Sequence, residues 1–182
     1  MFIASSLDGF IAREDGSIDW LFTDSDYGYQ EFYQSVDAVI MGRKTFEKGL
    51  ELGGGINPTK DKKNYIFSRD QRPSNGKEKD DDDDDEVEFV GHDIIEFVER
   101  LVNSSGKDIW LVGGSEIISL LLKANLLHDI ILSIHPKILG KGIPLFKNIW
   151  KEMNLKLINC NAYDSGLIQL HYIVFKNEAN NK

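Results

Sequence analysis

Cys160 is the only cysteine in this 182-residue chain, so no internal disulfide and no cysteine-based zinc site can form. No run of 18 apolar residues occurs. The N-terminus also lacks the charged region, apolar stretch and cleavage site of a secretory signal. These absences predict a soluble, cytosolic protein with no membrane association. A basic stripe is missing too, which argues against nucleic acid as a partner. The dinucleotide fingerprint G-x-G-x-x-G is absent as well, so a nucleotide site would have to be built another way.

Acidic charge is plentiful but uneven. The net charge is -9, and Asp80 to Glu86 supply seven of the negative charges, which leaves the remaining chain nearly neutral with room for a local basic site. A block of like charges without apolar residues can bury nothing, so about 72–86 reads as a disordered, solvated insertion. A metal site is the alternative, but consecutive aspartates lack the alternating spacing and turn glycine of a calcium loop. No metal site is expected.

What the chain does have is 41% hydrophobic residues, enough for one domain with a sizeable core, spanning 1–176 with a frayed tail at 177–182. Its organising stretch is Asp108 to Leu122. A short apolar run meets Gly113 and Gly114, then passes into a segment whose Ile117, Ile118, Leu121 and Leu122 recur at helical spacing, predicting strand, tight turn, helix. The glycines would admit a phosphate to the helix N-terminus, or they merely make a strand-to-helix turn. Ala38 to Glu47 repeats the design: an apolar strand runs into Gly42, then Arg43, Lys44 and Thr45. Two such strand ends fall on the same side of an open α/β sheet, where ligands bind at the carboxyl ends of the strands.

Five motifs in this order resemble the dihydrofolate reductase superfamily: Ser6-Leu7-Asp8-Gly9-Phe10-Ile11-Ala12, Met41 to Thr45, Tyr65 to Arg69, Trp110 to Ser115, and Leu139 to Phe146. The resemblance is to the branch that holds the C-terminal reductase domain of the bacterial riboflavin-biosynthesis deaminase/reductase and its stand-alone relatives. It runs colinearly from about Phe2 to Phe175. It implies a three-layer α/β fold with a mixed, mostly parallel sheet and a C-terminal antiparallel hairpin, and NADPH as cofactor. The cysteine count excludes the zinc deaminase half. Backbone near Ala4 and Ile11 would hold the nicotinamide carboxamide. Gly42, Thr45, Val112, Gly113, Gly114, Ser115 and Glu116 would line the phosphates and their surroundings. Ser68 and Arg69 would meet the adenosine end, where Arg43, Lys44 and Arg69 share the 2′-phosphate. Relatives carry several more residues before the first strand, so either that strand is short or the chain start is misassigned. They also place the Gly140 to Phe146 loop and the hairpin at a two-fold interface, which implies a homodimer.

Several residues keep two readings. Asp8-Gly9 marks a turn, hairpin-like or beside the cofactor. Arg13 to Leu21 would be a flap that excludes water during transfer, and Trp20 either belongs to that flap or is a buried anchor. Asp24 or Ser25 is expected to cap a helix from Tyr27 to Val36 with Asp26 in its first turn. The resemblance also puts Asp26 on the position whose carboxylate protonates a pterin, although the riboflavin-type branch does not depend on it in the same way. His135 is either a catalytic group or a strand-end histidine with a structural hydrogen bond. The expected activity is NADPH-dependent hydride transfer to a small heterocycle or a related C=N or C=O group, and the resemblance implies the riboflavin-pathway type, acting on a phosphoribosylamino-pyrimidine. The rivals are a pterin reductase and a nucleotide-binding module without turnover.

Overall fold

The computed structural model describes residues 1–55, 57–69, 87–104, 106–150 and 152–175. The acidic run and the residues beyond 175, for which the sequence predicts disorder, lie outside the described residues. In chain order the elements are β1 (Phe2–Ser6), β2 (Phe10–Ala12), α1 (Tyr29–Ser35), β3 (Val36–Gly42), α2 (Arg43–Leu52), β4 (Lys63–Phe67), β5 (Val87–Val90), α3 (Ile94–Val102), β6 (Asp108–Gly113), α4 (Ser115–Lys123), β7 (Asp129–His135), β8 (Ile143–Pro144), β9 (Leu155–Ala162) and β10 (Ile168–Val174). They form two compact units, Tyr27–Gly114 and the remainder.

The Tyr27–Gly114 unit is built on an all-parallel sheet in the order β5-β4-β3-β6. From Ala38 to Met41 its central strand β3 is a continuous apolar run, and Val36, Ala38, Val39, Ile40 and Met41 are each at most 5% exposed, while Asp37 near its start is exposed. That is how a parallel strand covered on both faces reads. Crossover helices supply the cover. Phe46 of α2 meets Phe89, and Phe97 of α3 sits edge-on to Tyr65 and Phe67. Tyr29, Phe32 and Tyr33 of α1 surround Trp110. Two helix starts depart from the sequence expectation. α1 begins at Tyr29, because Tyr27 and Gly28 both take positive φ (52° and 78°) and cannot be helical. Gly28 is thus the N-cap, Glu31 is the first-turn acid, and Asp26 lies ahead of the helix. α2 begins at Arg43, where residue order reads as a turn from Gly42 to Thr45 ahead of a short helix from Phe46 to Leu52, so Arg43 to Thr45 are the helix's own first turn.

In the other unit a mixed sheet runs β1-β7-β10-β9, with β1 parallel to β7 and the β9–β10 hairpin antiparallel. α4 buries Ile118, Leu121 and Leu122 to 4% exposure or less, each worth about 1.5–3 kcal/mol. β9 is an edge strand with no buried residue. The expected combination of parallel sheet and C-terminal hairpin is present. Among the described residues no helix is long and apolar enough to cross a membrane.

Candidate functional site

Parallel register brings three chain segments to one edge of the β5-β4-β3-β6 sheet. Gly42 pairs with Phe67, and Met41 with Gly113, so Gly42, Phe67 and Gly113 finish their strands together, with Ser68 next after Phe67. Gly113 takes φ 139°, a conformation that L side chains rarely adopt, and its peptide to Gly114 is cis. A Cβ on Gly114 would stand 3.4 Å from Thr45 Oγ1, so the β6 end and the first turn of α2 are neighbours. That turn has no side-chain cap and no acidic residue, while Arg43 and Lys44 bring positive charge. Backbone N–H groups and the positive end of the helix therefore face the edge with two cations beside them, the arrangement that suits a polyphosphate. Arg43 is partly engaged by Glu47, 3.4 Å away. Ser68 donates its N–H to Val90 O at 3.1 Å, and Arg69 is exposed just beyond β4. Val112 is half-buried.

The remaining expected cofactor residues belong to the other unit. Ala4 lies in β1, paired with Ser133. Ile11 lies in β2, whose partners in β8 are Phe10↔Pro144 and Ala12↔Ile143. Ile11 is thus the extra residue of a bulge, and its backbone groups are left out of the ladder, as bulges beside functional sites often arrange. Ser115 is 5% exposed, and its hydroxyl donates to Pro144 O. Its side chain therefore serves the β8 segment, leaving its backbone for any ligand. Glu116 pairs with Lys147 at 2.9 Å. Gly142 is explained by close approach, since a Cβ there would lie 2.3 Å from Ala12 O. The Leu139 to Phe146 motif is consequently stitched to β2 and α4.

His135 takes the structural role. It is 3% exposed, its Nε2 accepts the Phe22 N–H at 3.1 Å, and its Nδ1 faces Ser133 O at 3.4 Å, which assigns the proton to Nδ1. Burial pulls its pKa below 6.5, opposed by the Ser133 carbonyl and Asp24. Trp20 is a buried anchor, 5% exposed and edge-on to His135 at 5.3 Å, and its Nε1 has no hydrogen-bond partner among the described residues. Asp26 is exposed. Asp8, read from the sequence only as a turn residue, proves to be a hub. It accepts from Ser6 Oγ (2.6 Å), Leu139 N (3.1 Å) and Gly140 N (2.7 Å). Among the described residues no group of three or more His, Cys, Asp and Glu side chains is placed to hold a metal ion.

The sequence profile of the RibD C-terminal domain matches residues 1–169. The chain belongs to this family. The uncharacterized protein YwjB of Bacillus subtilis is 37% identical over 176 residues, 95% of each chain. A putative riboflavin biosynthesis protein from Shewanella sp. PV-4 is 26% identical in sequence and superposes with a TM-score of 0.77, covering 96% of this chain and 97% of that one. Two more distant structures share the fold. One is the Thermotoga maritima diaminohydroxyphosphoribosylaminopyrimidine deaminase/5-amino-6-(5-phosphoribosylamino)uracil reductase, with TM-score 0.68, 19% identity, and coverage of 95% of this chain and 55% of that one. The other is Enterococcus faecalis dihydrofolate reductase complexed with NADP(H), with TM-score 0.66, 15% identity, and coverage of 96% and 95%.

Proposed function

We propose that this protein is an NADPH-dependent reductase of the riboflavin-pathway type, acting on a 5-amino-6-(5-phosphoribosylamino)uracil-like substrate. The observation that carries the reading is the carboxyl edge of β3, β4 and β6, where Gly42, Gly113 and Gly114 leave backbone open beside the uncapped start of α2. In this reading the N–H groups of Arg43, Lys44 and Thr45 and the backbone from Val112 to Glu116 cradle the pyrophosphate. Arg43, Lys44, Ser68 and Arg69 take the 2′-phosphate. Ala4 and the bulged Ile11 hold the carboxamide through their backbone. Bound NADPH supplies the hydride, and the chain supplies orientation and exclusion of water. Trp20, buried at the end of the Arg13 to Leu21 segment, anchors the cover that keeps water out. Asp26 or an ordered water delivers the proton.

The test is NADPH oxidation at 340 nm with the pyrimidine intermediate and, separately, dihydrofolate as acceptor. Turnover of the pyrimidine supports the reading, turnover of dihydrofolate alone makes the protein a pterin reductase, and tight NADPH binding without turnover makes it a binding module. We also propose that the protein works in the cytosol as a homodimer. The support is the edge strand β9, where Leu155, Leu157 and Ile158 are 42–49% exposed, an arrangement that invites a second copy. Light scattering that gives only the 20.7 kDa monomer at micromolar concentration contradicts the dimer.

A further inference from the structure

The β2–β8 ribbon is too small to hold itself. It has two partner pairs, and Pro144 brings no N–H to the ladder, whereas isolated two-stranded ribbons are marginal even when much longer. Something else must fix the bulged Ile11. Beside the Phe10↔Pro144 pair Leu145 N–H donates to Gly9 O at 2.8 Å, and beside the Ala12↔Ile143 pair Gly142 packs its open face onto Ala12 O. Just ahead of β2 stands Asp8. Its Oδ1 accepts the Ser6 hydroxyl at 2.6 Å and the Leu139 N–H at 3.1 Å, and its Oδ2 accepts the Gly140 N–H at 2.7 Å. Ser6, 1% exposed, accepts in turn the N–H of Phe10 at 3.0 Å. A single chain of hydrogen bonds therefore runs from the first residue of β2, through Ser6 and Asp8, to the loop that enters β8. Three charge-assisted bonds on one carboxylate are stronger than neutral ones, and they hold the carboxyl well below its usual range, with the Ser6 hydroxyl the largest cause, then the two backbone N–H groups.

We propose that Asp8 is a positioning residue for hydride transfer: by clamping Leu139 and Gly140 to the β1–β2 turn it fixes the ribbon that carries Ile11, and so orients the nicotinamide end of the cofactor without touching it. The proposal rests on the reductase reading and on Ile11 holding the carboxamide. Asp8→Asn preserves shape but removes the charge and one of the two acceptor oxygens.

The experiment compares the wild-type chain with Asp8→Asn and measures three quantities: amide hydrogen exchange, dissociation constants for NADPH and for 2′,5′-ADP, which lacks the nicotinamide, and turnover of the pyrimidine. The expected result is faster exchange at Phe10, Leu139 and Gly140, turnover reduced by about tenfold to a hundredfold through misplacement of the reacting group, and 2′,5′-ADP affinity within about twofold of wild type. If exchange accelerates while NADPH affinity and turnover stay at wild-type values, Asp8 is a structural clamp only and the proposal falls. Equal weakening of NADPH and 2′,5′-ADP overturns it as well, because the damage is then general. Should Asp8→Asn fail to fold, Ser6→Ala, which cuts the relay to Phe10, is expected to give the same split with a smaller amplitude, and no split there overturns the proposal. A wild-type chain that binds neither ligand sinks the reductase reading itself, an outcome distinct from normal wild-type binding with an unaffected variant.

Discussion

The carboxyl edge of β3, β4 and β6 and the corner formed by β1, β2 and β8 are shaped by opposite means. The edge is left open by backbone: glycines end strands in register, a helix starts without a cap, and cationic side chains stand beside it. The corner is closed by side chains that bind backbone, with Asp8, Ser6 and Ser115 each donating to or accepting from main-chain groups. An edge of the first kind keeps N–H groups for a ligand, whereas a corner of the second kind spends its polar groups on itself. The same residue type therefore has different work in each. Glycine at the edge makes room for something else, and Gly142 at the corner makes room for the protein's own Ala12 carbonyl.

Exchanging those glycines for alanine breaks the comparison most sharply. At Gly142 the added Cβ meets Ala12 O at 2.3 Å, and backbone cannot swing away as a side-chain tip can. Gly142→Ala is expected to cost about 1–3 kcal/mol as overpacking, or roughly 2–12 °C in Tm for a chain of this size. Gly42 has an ordinary φ of -77°, so Gly42→Ala, which sets a poorer N-cap against a less flexible unfolded chain, should change stability by less than about 1 kcal/mol yet weaken NADPH binding. Thermal denaturation with and without NADPH checks both. A stable Gly142→Ala variant would show that the ribbon yields, and a Gly42→Ala variant with full NADPH affinity would remove the phosphate from that edge.

The next effect sits on the cations of the edge. NADPH differs from NADH by the 2′-phosphate alone, and each charge-assisted contact to it contributes about 1.5–3 kcal/mol when partly shielded. Arg43→Ala or Arg69→Ala is expected to raise the NADPH dissociation constant by about tenfold or more, with that for NADH within about twofold. Fluorescence titration of both cofactors reads the difference. Equal weakening would move these cations to the shared pyrophosphate or to a purely structural role.

The edge is legible in the sequence and the corner is not. An apolar run ending in glycine and followed by cations is a local pattern, so β3 with Gly42-Arg43-Lys44 and β6 with Gly113-Gly114 stand out from residue order alone. Asp8 meets Gly140 across 132 residues, and nothing in the motif Ser6-Leu7-Asp8-Gly9 names that partner. Likewise the N–H that His135 accepts comes from Phe22, 113 residues away, so the sequence offers a histidine and leaves its role open. The start of α1 escapes the sequence for another reason. Asp24 and Ser25 are good caps by type, but positive φ at Tyr27 and Gly28 decides where the helix begins, and φ at a tyrosine is not written in its identity.

A smaller effect tests the buried wiring beside the corner. The His135 imidazole has its folded pKa pulled below 6.5 by burial. In the unfolded chain it takes up a proton as pH falls through 6.5, while in the folded protein it resists, so the unfolded state binds more protons in that window. Its contribution is therefore present above pH 6.5 and is lost as pH falls from there through the folded pKa. Urea unfolding at pH 8, 6.5 and 5.5 should show wild-type stability declining toward acid relative to His135→Asn. A difference between the two proteins that is independent of pH would mean the imidazole is not kept neutral by its burial.

The smallest effect separates the wiring that shapes the corner from the charges that merely decorate it. Lys141, in the loop entering β8, pairs with Glu14 at 2.8 Å, and Lys147 with Glu116 at 2.9 Å, but these side chains are 47–79% exposed. Ion pairs of that kind contribute about 0–1 kcal/mol, because water screens them and two long side chains must be held still, and salt weakens them further. Asp8 differs in that two of its three partners are backbone N–H groups, already ordered by the chain, and the third is the buried Ser6 hydroxyl, so little such entropy is lost at their end. Lys141→Ala is accordingly expected to leave exchange at Leu139 and Gly140 unchanged and to lower stability by less than about 1 kcal/mol, a deficit that disappears in 0.5 M salt. Exchange measurements and urea unfolding at low and high salt decide it. A Lys141→Ala variant whose loop amides exchange as fast as those of Asp8→Asn would show that the surface pair, and not the carboxylate clamp, holds the ribbon in place.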